Sequence, residues 1–144
     1  MEAIMLSLHS KWIKPIMDRE KIYEVRKRAP VCKYPIKVYI YCTQNGDEKF
    51  LSETKKTSGD YKLNGTVCGE FVCNDVMHVY EPFGGKEFGT YLKSKDLWNY
   101  ASGSDHLDYL QIESPVMYDK PLQLSDFGLE RPPMSWMYCE EMKQ

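Results

Sequence analysis

The chain has 144 residues, of which 42% are hydrophobic and 28% charged, with a net charge of −2. Those values describe one globular domain with a real core, and they exclude a disordered chain and a generic polyanion binder. No apolar run approaches the roughly 18 residues needed to span a bilayer, and Met1 to Leu8 is not a basic-then-hydrophobic leader, so no membrane partner and a cytoplasmic location are expected.

The N-terminal Ala3–Leu8 alternates weakly and reads as a first strand. Ser10 is placed as the cap of a helix in which Trp12, Ile13, Ile16 and Met17 share a face. Pro15 requires that helix to start late or to be irregular. Ile22–Arg28 follows as a strand, Pro30 and Pro35 bracket a turn, and Ile36–Thr43 is the clearest strand of the chain. Gln44–Gly65 is a polar stretch of 22 residues, read as a lid or as a connection holding a short helix around Lys49–Lys55. Thr66–Tyr80 is one long strand or two joined by a bend at Asn74-Asp75. Phe83–Gly89 is a glycine-containing loop without a phosphate-binding pattern, and one or two short helices follow over Phe88–Ala101. A strand over Asp108–Val116, a turn or helix over Leu122–Phe127 and a last strand over Met134–Cys139 complete the chain. The sum is an α+β domain, or a small barrel, of about five or six strands with short flanking helices.

Five cysteines, odd in number and with no Cys-x-x-Cys pair, argue against a disulfide framework. His9, His78 and His106 lie far apart and match no zinc spacing, so neither a metal nor a cofactor is expected. The charge is unevenly spread. Residues 11–37 hold nine basic and three acidic side chains, a local net charge of +6 that leaves −8 for the rest. Such asymmetry fits one face built for an anion, or a solvated charged strand.

Within that span, Tyr23 and Val25 are expected to face the core, with Glu24, Arg26 and Arg28 on the opposite face and Lys21 at the strand's start. Glu24 and Arg26, about 6.6 Å apart by strand rise, set a guanidinium beside a carboxylate. Arginine suits planar recognition of phosphate or of a base edge, and lysine supplies a point charge. Glu70 sits in the apolar strand Val67–Cys73, where a carboxylate is either partly solvated or paired, with Lys21 or Arg26 as its natural partner. Tyr39 and Tyr41, beside Lys37, either stack bases or pack as core.

In order along the chain, Ile4-Met5-Leu6-Ser7-Leu8, the Lys21-x-x-Glu24-x-Arg26-Lys27-Arg28 segment, Val38-Tyr39-Ile40-Tyr41, Val67-Cys68-Gly69-Glu70-Phe71 and Arg131-Pro132-Pro133-Met134-Ser135-Trp136 resemble the ASCH domain family. The resemblance covers nearly the whole chain as a single domain. It implies a PUA-like β-barrel with flanking helices and an RNA-associated role, with Lys21, Glu24, Arg26 and Glu70 lining a cleft. One branch of the family looks like amidohydrolases acting on N4-acetylcytidine, and another member acts as a ribonuclease. The amidohydrolase branch carries a threonine nucleophile where this chain has Glu24, so hydrolysis here would need water activated by Glu24 or Glu70 with Lys21 stabilising charge. Three functions therefore stand. The first is a module binding single-stranded RNA or a modified nucleotide through Lys21, Arg26 and Arg28, with Tyr39, Tyr41 or Trp136 stacking. The second is a hydrolase of RNA or of a modified nucleoside. The third is a domain that meets a protein partner.

Overall fold

Strand β1 (Glu2–Leu8) lies parallel to β3 (Ile36–Cys42) at the centre of the molecule, and both are buried on two sides. Burial on both faces explains why the alternation of Ala3–Leu8 is weak in the sequence. The computed structural model describes residues 1–44, 63–83 and 89–142. Most of the polar 44–65 connection, including the helix expected near Lys49–Lys55, and residues 84–88 of the glycine loop lie outside the described residues.

The remaining elements are α1 (Ser10–Met17), β2 (Tyr23–Arg26), β4 (Val67–Cys73), β5 (Val76–Tyr80), α2 (Ser94–Ala101), β6 (His106–Gln111), β7 (Glu113–Leu122), a short 3-10 turn (Leu124–Phe127) and β8 (Trp136–Cys139). They form a five-stranded sheet of order β7-β4-β3-β1-β8 and a three-stranded sheet of order β2-β6-β5. One face of the larger sheet, with Ile4, Leu6, Val38 and Ile40, packs on Ile13 and Ile16 of α1 and on Leu110 of the smaller sheet. The other face carries Ala3, Met5, Tyr39 and Tyr41 beneath Phe127. The smaller sheet turns Val25, Val79, Leu107 and Tyr109 towards Leu97 and Ala101 of α2.

The architecture departs from a closed barrel of five or six strands. There are eight strands among the described residues, in two open sheets. Thr66–Tyr80 divides at Asn74-Asp75 into β4 and β5, which enter different sheets, and the stretch expected as one strand from Asp108 divides at Ile112 into β6 and β7. No membrane-crossing helix, long and apolar enough to span a bilayer, occurs among the described residues.

Helix α1 keeps Pro15 inside it, and its cap is His9 rather than Ser10: His9 Nδ1 accepts from the Lys11 amide at 3.1 Å, while Ser10 is buried within the helix. The helix ends in a left-handed residue, Arg19 at φ 62°. Arg19 N donates to Ile16 O and Glu20 N to Pro15 O, the paired bonds of a Schellman stop. Lys21 N also donates to Pro15 O at 3.0 Å, which turns the chain back beneath the helix.

Strand β4 is irregular at Cys68, where its register shifts against both β3 and β7. Gly69 is required there because an added Cβ would stand 2.5 Å from the Val116 carbonyl oxygen of β7. Gly69→Ala is therefore expected to lower stability by about 1–3 kcal/mol, the cost of overpacking against backbone. Urea unfolding of the variant checks it, and an unchanged midpoint would show that β7 moves aside freely.

Candidate functional site

Lys21, Glu24 and Arg26 meet because the Schellman stop delivers Lys21 to the start of β2 and the strand then sets Glu24 and Arg26 on one face. Lys21 Nζ lies 3.3 Å from Glu24 Oε1 and donates to the Thr90 carbonyl at 2.5 Å. Arg26 grips Glu24 Oε2 through Nε at 2.9 Å and Nη2 at 2.6 Å. Its remaining donors reach the Ser7 carbonyl at 2.9 Å, Ser135 Oγ at 3.0 Å and the Ser135 carbonyl at 3.4 Å. All five guanidinium hydrogens thus have acceptors. The segment is strapped from outside by Gly89, whose carbonyl accepts from Ile22 N at 2.7 Å and Tyr23 N at 2.8 Å. Gly89 has φ +90°, and a Cβ there would press on Ile22 Cγ1 at 2.9 Å, so only glycine fits this approach.

Burial shapes the charges. Lys21 is only 1% exposed, and desolvation pulls its ammonium below the usual lysine range despite Glu24 beside it. Burial pushes the Glu24 carboxyl up, but the charges and hydrogen bonds of Arg26 and Lys21 outweigh it and hold the group below the usual carboxylate range. The result is a carboxylate fixed in its ionised form.

This cluster lines one side of an open groove of about 450 Å³, whose other walls include Trp12, Leu92, Asp96 and Tyr100. Lys11 Nζ sits 4.9 Å and Lys21 Nζ 5.5 Å from the Trp12 ring centre, and Lys27 Nζ sits 5.5 Å from that of Tyr100. From the sequence, Trp12 is only a member of a shared helix face, and Tyr100 lies within a stretch expected to hold one or two short helices. Their joint position depends on how α1 and α2 flank β2, a long-range arrangement with no local signature.

Several expected site residues lie elsewhere. Glu70 pairs with neither Lys21 nor Arg26. It forms an ion pair with Lys37 and accepts from Tyr118 Oη at 2.9 Å, opposite Tyr39 in the β3–β4 ladder. That places it in a second depression lined by Lys37, Tyr39, Tyr118 and Lys120, on the face of the larger sheet that α1 does not cover. Tyr39 and Tyr41 are buried, Tyr39 with its ring centre 4.6 Å from that of Phe127, so the core-packing alternative holds for both. Trp136 is half-buried and donates Nε1–H to the Arg28 carbonyl at 2.8 Å, while the Arg28 side chain is exposed. Val25 faces the core as expected, whereas Glu24, expected on the outer face, is buried too. Strand β2 is a buried element with a polar row, which alternation alone does not distinguish from a solvated face.

No protein-family model matches the sequence, and no curated protein matches it. Solved structures do. ASCH from Zymomonas mobilis superposes with a TM-score of 0.70 at 16% identity, over 96% of this chain and 88% of that one. A tyrosine-to-phenylalanine variant of the same Zymomonas protein gives a TM-score of 0.71 at 15% identity over 99% and 93% of the two chains. A serine-to-alanine variant of it gives 0.72 at 15% identity over 97% and 89%. The chain therefore has the ASCH-type, PUA-like β fold, in an open two-sheet form.

Proposed function

We propose that this chain is a binding module for single-stranded RNA or a modified nucleotide, which takes one base into the groove between Trp12 and Tyr100. The observation that carries this reading is the ion cluster at the groove wall: a fixed carboxylate and a part-exposed guanidinium edge, flanked by two aromatic rings. A nucleobase is a planar ring with a polar edge, and it matches such a wall better than a phosphate does. Arg26 and Lys21 have already committed hydrogens to Glu24, Ser135 and backbone carbonyls, so few donors are left to bind phosphate, and a base is read instead by the lone pairs of the Glu24 carboxylate and by stacking. Trp12 and Tyr100 take the stacking role that the sequence reading gives to Tyr39, Tyr41 and Trp136.

The same cluster favours binding over hydrolysis. A general base works best when its pKa lies near the working pH, and Glu24 is held below the ordinary carboxylate range. Glu70, the other carboxylate considered, is in the second depression.

Tryptophan fluorescence should report saturable binding of a nucleoside such as cytidine or N4-acetylcytidine, with the 5′-monophosphate little tighter. Between low and moderate salt the affinity should change by less than one phosphate contact's worth, a log–log slope shallower than about −0.7. Tyr100→Ala removes a stacking ring and should weaken binding roughly 5- to 150-fold, matching about 1–3 kcal/mol. A steep salt slope with no nucleoside binding would replace the base pocket by backbone binding. Silence across the panel would move attention to a protein partner, and turnover of either nucleoside that vanishes in Lys21→Ala would make the chain an enzyme.

Glu24→Gln strips the counter-charge from the buried Lys21 and the part-exposed Arg26 and should cost about 3–5 kcal/mol of stability. Chemical denaturation measures this directly; a loss under about 1 kcal/mol would mean that solvent reaches the cluster.

A further inference from the structure

Antiparallel pairing of β5 with β6 sets His78 opposite Asp108 and Tyr80 opposite His106, so both histidines and the aspartate share one face. Asp108 is 4% exposed. Its Oδ2 accepts from the Ala29 amide at 2.7 Å, which aims Oδ1 at His78 Nδ1, 2.5 Å away, and at His106 Nε2, 3.8 Å away. The cation nearest in the ladder, Arg26 on β2, turns its guanidinium to Glu24, Ser7 and Ser135 instead. Two imidazoles are left to face a buried carboxylate. His106 is further oriented by Asp105, whose Oδ1 lies 2.9 Å from its Nδ1. A proton on Nδ1 shared with that carboxylate leaves the Nε2 lone pair directed at Asp108, the arrangement that outer carboxylates impose on metal-binding histidines.

We propose that His78, His106 and Asp108 form a binding site for a divalent transition metal ion of the zinc type. One donor atom from each residue already lies within 4.8 Å of the other two. A tetrahedral ion with bonds of about 2.0–2.1 Å holds its ligands roughly 3.3 Å apart, so the His78–Asp108 pair opens and the His106–Asp108 pair closes, each by less than about 1 Å. His78 can make that adjustment because its side chain is 59% exposed. Two imidazoles and one carboxylate select zinc, cobalt or nickel over magnesium and calcium, which prefer all-oxygen sites. Three protein ligands leave the fourth position to water. The sequence reading assigns no metal because the two histidines are 28 positions apart, and the donors converge only across a strand ladder.

Zn²⁺ titration of the full chain against a chromophoric chelator should give one site per molecule, and Co²⁺ should give the visible absorption of a tetrahedral nitrogen–oxygen site. His78→Ala and His106→Ala should each weaken binding at least about tenfold, and Asp105→Asn about 10- to 100-fold through His106 orientation. Thermal unfolding of each metal-free variant confirms its fold; His78 is exposed and tolerates truncation. Unchanged Zn²⁺ affinity in the double variant His78→Ala/His106→Ala, or a thiolate-to-Co²⁺ charge-transfer band, would put the metal on the cysteines and overturn the proposal. Nucleoside binding in the groove should survive His78→Ala, so the metal site and the groove succeed or fail separately.

Discussion

The Arg26–Glu24 ion pair is the joint on which the molecule turns. Arg26 belongs to the smaller sheet, yet it donates to Ser7 of β1 and to Ser135 just before β8, both in the larger sheet. Among the described residues no backbone ladder joins the two sheets at β2 and β8, so this side chain does there what hydrogen-bonded strands would do in a closed barrel. A lone guanidinium in that place would be expensive to bury; Glu24 offsets its charge, and Lys21 shares the same carboxylate. One wall of the groove and the inter-sheet contact therefore share the Lys21–Glu24–Arg26 cluster. A protein that needs those residues for its shape has little freedom to move them during a reaction, which suits recognition more than turnover.

The basic stretch of residues 11–37 looks different once its partners are placed. Lys14 pairs with Asp18, Lys21 and Arg26 with Glu24, and Lys37 with Glu70. Four of the nine cations are thus paired with three carboxylates, which offsets three of their charges, and one of the four, Lys21, is buried. What reaches solvent is a smaller charge carried by exposed Lys11, Arg19, Lys27, Arg28 and Lys33. Counting charges along the chain overstates the field a polyanion would feel, because the count ignores which charges the fold pairs.

Much of the fold is legible in the sequence. The alternation of Ile36, Val38, Ile40 and Cys42 predicts β3, the Asn74-Asp75 bend predicts one of the two readings of residues 66–80, and the motif from Lys21 to Arg26 predicts the neighbours found at the groove. The failures share a cause. Sequence reasoning pairs Glu70 with the wrong cation because strand order is not a local property: in the ladder Glu70 faces Tyr39 of β3, the strand that also carries Lys37, on the side away from β2. Tyr39 and Tyr41 lie on a sheet face that Phe127 covers, and a residue 86 positions beyond Tyr41 leaves no mark on the local pattern. Periodicity reports which residues share a face, and tertiary order decides what that face meets.

That distinction also explains why the barrel stays open. On the face that the smaller sheet turns to the larger one, Leu110 stands between Val76 and Glu24 and reaches the shared core along with Ile112. Two residues along, the row across the three strands reads Arg26, Asp108, His78, and the next pair is His106 with Tyr80. Those groups carry charge or hydrogen-bonding capacity that a dry interface would leave unsatisfied. Closing the sheets over that end would bury His78, His106 and Tyr80 as well, and desolvating them is costly. Leu110 and Val76 instead anchor the sheets at one end, Arg26 ties them at the next, and His78 and His106 stand at the margin beside the buried Asp108. A polar row that prevents closure is also what leaves room for a groove on one side and a set of metal-type donors on the other.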